Sequence, residues 1–344
     1  TNILFIGLVD KIFGWYNVAI LPALMLPLFV LGLYLLLKET EHILALGWSR
    51  WITLFIASSV AFFSILQAPA LYETLYWRAG MTSHFAPMVF IPFFGAFLLR
   101  QIRLTKERSP SLWIQIVCLI SPLMIGGFSE PPTALMITIL ILGIFVTWRW
   151  GLGQSRRSTL ILLLWSLAGA FLALAALALA PANSLRLGTP PPGLFELFSR
   201  ILLFPFEFIV DTVQTRPTPT IISVVIPALL FYVYYSQPSR NISNEARSRL
   251  GFLMIVILVL AYTLIAASFA PSAYGQSYPV GRARFAGRLL MTSALIMDGA
   301  LLGILVSRIR TKFIRSAYFR RFSILMLMVL MLYPLRTAWF TSME

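Results

Sequence analysis

Stretches such as TLILLLWSLAGAFLALAALALA, residues 159–180, are apolar on every side and match the roughly 20 residues a helix needs to cross a bilayer core. A soluble helix of that length would set an apolar stripe against a charged face. Similar windows recur from one end of the chain to the other. Of the 344 residues, 59% are hydrophobic and only 11% charged. The chain reads as an all-α polytopic integral membrane protein, a single transmembrane domain over 1–344. It shows no soluble domain, internal repeat or low-complexity tail.

Ten spans are predicted, centred on 18–37, 51–68, 84–99, 112–125, 133–148, 159–180, 221–236, 250–270, 289–306 and 322–339. They divide the loops into two sets that carry basic residues unequally. One set holds 18 of the 27 Lys and Arg: Lys38 and Arg50, then Arg100 to Arg108, Arg149 to Arg157, Arg240 to Arg249, and Arg308 to Arg321. The other holds nine: Lys11, Arg78, Arg186, Arg200, Arg216, Arg282, Arg284, Arg288 and Arg336. By the positive-inside bias the first set faces the cytoplasm and the second faces outward, in a plasma (inner) membrane. The net charge of +15 is thereby read as topology, not as a nucleic-acid footprint, since no basic stripe with interleaved aromatics is present.

Both ends of the chain then lie outward, and one further helix is expected to precede Thr1. Segment 1–17, rich in apolar residues and ending in Trp15 and Tyr16, reads as a helix lying along the outer interface. In the outward loop 181–219, the TPPPG run of 189–193 breaks the chain, and an amphipathic stretch over 194–213 lies on the membrane surface.

The unusual polar residues gather in the outward loops. Glu130, in GGFSEPPTALMI, precedes two prolines suited to a first helical turn. There it is either a helix cap, together with Ser129, or a carboxylate at a rim pocket able to act as a general base or bind a sugar hydroxyl. His84, in YWRAGMTSH with Arg78 and an aromatic pair, is a cap, an interface residue or a proton donor and acceptor. Arg282, Arg284 and Arg288 run against the positive-inside bias. As guanidinium forks they either clamp a lipid phosphate or touch ordinary anionic headgroups; on a helix Arg284 and Arg288 would share a face. Tyr274, Gln276 and Tyr278 are placed to contact a sugar.

Asp298 lies inside the ninth span, as a proton or ligand site or as the partner of a neighbouring group. His42 reads as a solvated neighbour of Glu39 and Glu41. Glu196, Glu207 and Asp211 read as a solvated helix face. The Asn241 sequon falls on the cytoplasmic side and is discounted. Cys118, the single cysteine, sits in an apolar span, which leaves no disulfide framework and no metal-ligand spacing. No GxSxG, Walker A, HExxH or dinucleotide fingerprint occurs, which disfavours direct use of ATP or a nucleotide sugar.

The layout, with outward loops reading YWRAGMTSHF and GGFSEPPTAL, resembles the GT-C superfamily of integral membrane glycosyltransferases and bacterial relatives. The resemblance implies inverting transfer of a sugar from a polyprenyl-phosphate donor to a glycan, lipid or protein acceptor on the outer face. The donor enters as a substrate, no cofactor is called for, and no acid cluster argues for a divalent metal. Glu130 with His84 would supply the base, Arg282, Arg284 and Arg288 the lipid-phosphate contacts, and Arg78, Tyr274, Tyr278 and Asp298 further substrate contacts. The family carries its catalytic acid in the first outward loop. Asp10 is the only acid of segment 1–17 and sits in no motif of the family, so that role is not carried onto it. A ligase or polymerase of another fold that works through outward Arg and His stays open. So do a transporter or flippase, for which Asp298 speaks, and a non-catalytic subunit of a membrane assembly.

Overall fold

The computed structural model describes residues 2–104, 109–151, 153–180, 192–236, 244–307 and 317–341. Lys106, Arg108, Arg186, Arg240, Asn241, Arg308, Arg310, Lys312, Arg315 and residues 189–191 of the proline-rich turn lie outside them, as do the side chains of Arg247 and Arg320. The described residues form helices and no strand. In chain order these are α1 (Asn2–Phe13), α2 (Asn17–Leu44), α3 (Arg50–Leu66), α4 (Ala86–Leu104), α5 (Leu112–Gly126) and α6 (Glu130–Trp150), then α7 (Gly153–Ala178), α8 (Leu194–Thr215), α9 (Pro217–Tyr235), α10 (Asn244–Tyr274), α11 (Phe285–Ser307) and α12 (Ala317–Thr341).

Seven helical runs among the described residues are long and apolar enough to cross a membrane: Asn2–Leu44, Arg78–Leu104, Glu130–Trp150, Gly153–Ala178, Pro217–Tyr235, Arg249–Tyr274 and Phe285–Ser307. The fold has the composition and helix lengths of a multi-pass membrane protein. The other three predicted spans coincide with shorter apolar helices, Arg50–Leu66, Leu112–Gly126 and Arg321–Tyr333. Of segment 1–17, residues 2–17 are helical as predicted, but they run on into α2 through a single tight turn at Gly14–Tyr16. Gly14 takes φ +52° there, a conformation that suits a residue without a Cβ. The predicted amphipathic stretch forms α8, with Leu194, Phe198, Leu202 and Phe206 exposed along one face and Phe204, Phe208 and Thr212 buried along another.

The chain divides into two compact units. Residues 1–61, 68–204 and 264–287 make the first, and residues 62–67, 205–263 and 288–344 the second. Four of the five boundaries fall inside α3, α8, α10 and α11 and the fifth just after α3, which is why no linker marks them in the sequence. The core of the first unit joins α4 (Phe94, Leu98), α5 (Cys118, Ile125), α6 (Met136, Leu140) and α7 (Leu162, Ala170). Its tightest contact lies between α5 and α7, where a Cβ added to Gly169 would stand 2.0 Å from the Leu119 carbonyl oxygen. Small residues permit such close backbone approach, and dispersion then holds helices that lipid would otherwise solvate equally well. In the second unit α11 approaches α9 in the same way. Added Cβ atoms at Gly299 and Gly303 would lie 2.3 and 2.1 Å from the carbonyl oxygens of Val224 and Ala228. The buried Gln67 amide donates to Ser223 Oγ at 2.9 Å within this unit.

Candidate functional site: a polar rim gathered by segment 72–85

Between α3 and α4 the chain does not run as regular helix. Trp77 N–H reaches back five residues to the Tyr72 carbonyl at 2.9 Å, and a second widened turn spans Met81–Phe85, with the single turn Arg78–Gly80 between them. Such π-helical turns shift the facing of side chains by one residue and occur often at functional sites. Gly80 is required at the join, since a Cβ there would stand 2.0 Å from the Glu73 carbonyl oxygen.

This segment is the hub of the first unit. Arg78 Nη1 donates to both oxygens of Asp10, at 2.8 and 3.0 Å, and Asp10 also accepts from the buried Asn17 amide at the start of α2. Asn2 at the head of α1 donates to Ser83 Oγ at 2.8 Å. Ser129 Oγ donates to the Ser83 carbonyl at 2.5 Å. Arg282 Nη1 donates to Glu73 Oε2 at 3.0 Å, and its guanidinium lies 4.8 Å from the centre of the Trp77 ring. Segments 1–17, 71–85, 126–133 and 271–287, which the charge bias assigned to one side, therefore meet at one place.

The ion pairs at this rim are partly exposed. The Arg282 and Glu73 side chains retain 30% and 43% of their accessible surface, so screening limits such a pair to about 1 kcal/mol or less. Stacking on Trp77 adds a contribution of the order of 0.5–1 kcal/mol. Their value is positional, because Arg282 is held in one place by a carboxylate on one side and a ring on the other.

The predicted site residues distribute unevenly over this arrangement. Glu130 is the first residue of α6 and half-buried. Ser129 occupies the N-cap position but its hydroxyl makes no cap; it is spent on Ser83 instead. That contact sets the chain neighbour of Glu130 against the chain neighbour of His84. Among the described residues neither Glu130 nor His84 makes a hydrogen bond or ion pair, whereas Asp10 and Glu73 are each engaged by an arginine.

The three arginines are held by different neighbours. Arg282 and Arg284 lie in a turn before α11, so the shared helical face predicted for Arg284 and Arg288 is absent. Arg284 stands 5.4 Å from the Tyr278 ring, and Tyr278 meets Phe204 edge-on at 5.4 Å. Tyr274, at the end of α10, is 43% exposed. Arg288 belongs to the second unit, where it is buried, donates to Thr212 Oγ1 at 2.8 Å and lies 5.2 Å from the Phe208 ring. Asp298, also in the second unit, is buried in α11, and its Oδ1 has no hydrogen-bond partner among the described residues. No group of three His, Cys, Asp or Glu converges as a metal site among the described residues.

Beside the rim, α1, α4 and α5 enclose an apolar groove of about 620 Å³. Phe5, Phe90 and Phe128 close one end with edge-on and stacked rings, and Phe93, Phe97 and Met124 line its length. Ser121 is its single polar lining residue.

Sequence reasoning overlooked Glu73 and the Ser83–Ser129 tether. Glu73 and Trp77 are four residues apart, a spacing that on any helix brings two side chains together, and this was the one local signal for the Arg282 cradle. Fold and site together define a multi-pass, all-α membrane protein with a charged and aromatic rim at one end of its first unit. Comparison with protein-family models, with curated proteins and with solved structures finds no match.

Proposed function

We propose that the chain is a GT-C-like membrane glycosyltransferase of about ten spans. It would move a sugar from a polyprenyl-phosphate donor to an acceptor hydroxyl at the outward face, for cell-envelope glycan, lipid or protein glycosylation. The observation that carries this reading is the uncommitted carboxylate of Glu130. It is half-buried beside the His84 turn, at a rim whose other two acids are each paired with an arginine. The apolar groove next to that rim suits an isoprenoid tail, and no nucleotide loop is needed when the donor is carried on lipid.

In this reading Glu130 takes the proton of the acceptor hydroxyl as its oxygen attacks the anomeric carbon. The bond from that carbon to the lipid phosphate breaks, and its electron pair leaves on the phosphate oxygen. Arg282, held by Glu73 and Trp77, and Arg284 over Tyr278 face the growing negative charge; fixed donors aimed at developing charge account for much of such catalysis. Arg78, already spent on Asp10, positions α1 against the rim.

The test is native mass spectrometry of the full chain from mild detergent, combined with transfer of radiolabelled sugar from polyprenyl-phosphate-sugar in vesicles. A bound polyprenyl phosphate that is lost in Arg282→Ala/Arg284→Ala, with transfer lost in Glu130→Gln, supports the enzyme. Absence of any such lipid and of transfer overturns it. A second reading, a transporter or flippase, is favoured by one observation, the buried Asp298 oxygen without a hydrogen-bond partner among the described residues, since ionisable groups at membrane depth mark transport paths. Uptake lost in Asp298→Asn but kept in Glu130→Gln would select that reading.

A further inference from the structure

A second cleft lies in the first unit, away from the rim. It measures about 300 Å³ and is walled by Pro27, Leu31 and Tyr34 of α2 and by Arg50, Trp51 and Leu54 of α3. Ala45 at φ 50° and Gly47 at φ 66° turn the chain sharply between these helices and bring the start of α3 back beside α2. Pro27, Leu31, Tyr34 and Lys38 recur at helical spacing, so the stripe that lines the cleft ends one turn further on in a cation. Arg50, across the cleft, rests over the Trp51 ring at 5.2 Å.

The charges around this cleft are unbalanced. Glu39 is engaged by Arg103, through Nε at 3.0 Å and Nη2 at 2.9 Å, and Glu41 faces His42 at 3.4 Å. Among the described residues no acid pairs with Arg50 or Lys38, and both side chains are exposed. One cation, Arg50, therefore lines the apolar slot beside Tyr34 and Trp51, and a second, Lys38, follows one turn beyond Tyr34 on the stripe that walls it.

We infer that the α2–α3 cleft binds one anionic glycerophospholipid, its phosphodiester held by Arg50 and Lys38 and one acyl chain lying against Leu31 and Leu54. The guanidinium fork matches phosphate oxygens, and its stacking on Trp51 fixes its plane. A choline or ethanolamine headgroup would bring a third cation to the site, so the cleft selects a lipid with net negative charge. The site is independent of the proposed transferase reaction.

The experiment is native mass spectrometry of the full chain, stripped of lipid in detergent and offered equal amounts of phosphatidylglycerol and phosphatidylcholine. One retained phosphatidylglycerol, preferred roughly tenfold or more, is expected from two cations near a phosphate. Lys38→Ala/Arg50→Ala should bring the two lipids to parity. Leu54→Trp, which fills the slot and leaves both cations in place, should lose the bound lipid as well, and it serves as the second variant should the first fail to fold. Inorganic phosphate at millimolar concentration should leave the lipid in place. Equal retention of both lipids by the wild type overturns the inference. So does phosphatidylglycerol held as well by both variants, or displaced by phosphate.

Discussion

Ser129 Oγ donates to the Ser83 carbonyl across 2.5 Å, so the residue expected to cap α6 instead ties that helix to the turn carrying His84. Ser129 is buried, and deleting its hydroxyl leaves a carbonyl short of its partner in a place water reaches poorly. Ser129→Ala should cost about 1–2 kcal/mol of stability, measured as a lowered midpoint of thermal unfolding in detergent. Transfer activity should fall further than that of a surface serine variant, because this contact ties the chain beside Glu130 to the chain beside His84.

Glu130 itself separates cap from catalyst. As a base it should show a loss of transfer of about 10²-fold or more in Glu130→Gln with stability held within about 0.5 kcal/mol. As a cap alone it would show the reverse, an active but destabilised protein. Thermal unfolding and transfer measured on one preparation decide between them.

Arg282 and Glu73 are 209 residues apart in sequence. A double-mutant cycle of Glu73→Gln and Arg282→Gln on thermal stability should return a coupling of about 0.5–1 kcal/mol that shrinks in high salt, as befits a partly exposed pair. A coupling unchanged by salt would mean the pair is shielded from solvent.

Gly169 tests the α5–α7 contact. With the Leu119 carbonyl oxygen only 2.0 Å from where an added methyl would stand, Gly169→Ala must push the helices apart, at a cost of about 1–3 kcal/mol. Gly7, in α1, has nothing within 4 Å of the same position, so Gly7→Ala should be neutral or stabilising by up to about 1 kcal/mol through helix propensity. Parallel melts of the two variants give the comparison.

Asp298 keeps a buried oxygen without a hydrogen-bond partner among the described residues. Asp298→Leu should therefore leave the fold as stable or more stable, by about 1 kcal/mol or more, since an unsatisfied polar group leaves the interior. A marked loss of stability instead would show that the carboxylate has a partner after all.

The helices were legible because apolar length is a local property. A run such as 159–180 declares itself without reference to the rest of the chain, and α7 covers nearly all of it. Stretch 194–213 was legible for the same reason, through its alternating faces. The rim was legible only in part. Glu130, His84 and the arginines stood out because charge is scarce there, and segments 1–17, 71–85, 126–133 and 271–287 do converge. What escaped was pairing. The spacing of Glu73 and Trp77 hints at a cradle but does not name Arg282 as its occupant, and nothing local to Ser129 indicates that its hydroxyl would prefer a carbonyl 46 residues away to the amides of its own helix. Helix α11 begins only at Phe285, one residue after Arg284, a boundary that spacing alone did not reveal.

The separation between Glu73 and Arg282 also sets an order of events during synthesis. At about 5–20 residues per second, roughly 10–40 s pass between emergence of the carboxylate from the ribosome and emergence of the guanidinium. The contact from Ser129 to Ser83 can close long before that, as soon as the hairpin of α4 and α5 has been inserted. The nascent protein must therefore carry the Glu73 carboxylate without its Arg282 partner through most of its translation. The last segment to reach the rim is the one that locks its hub.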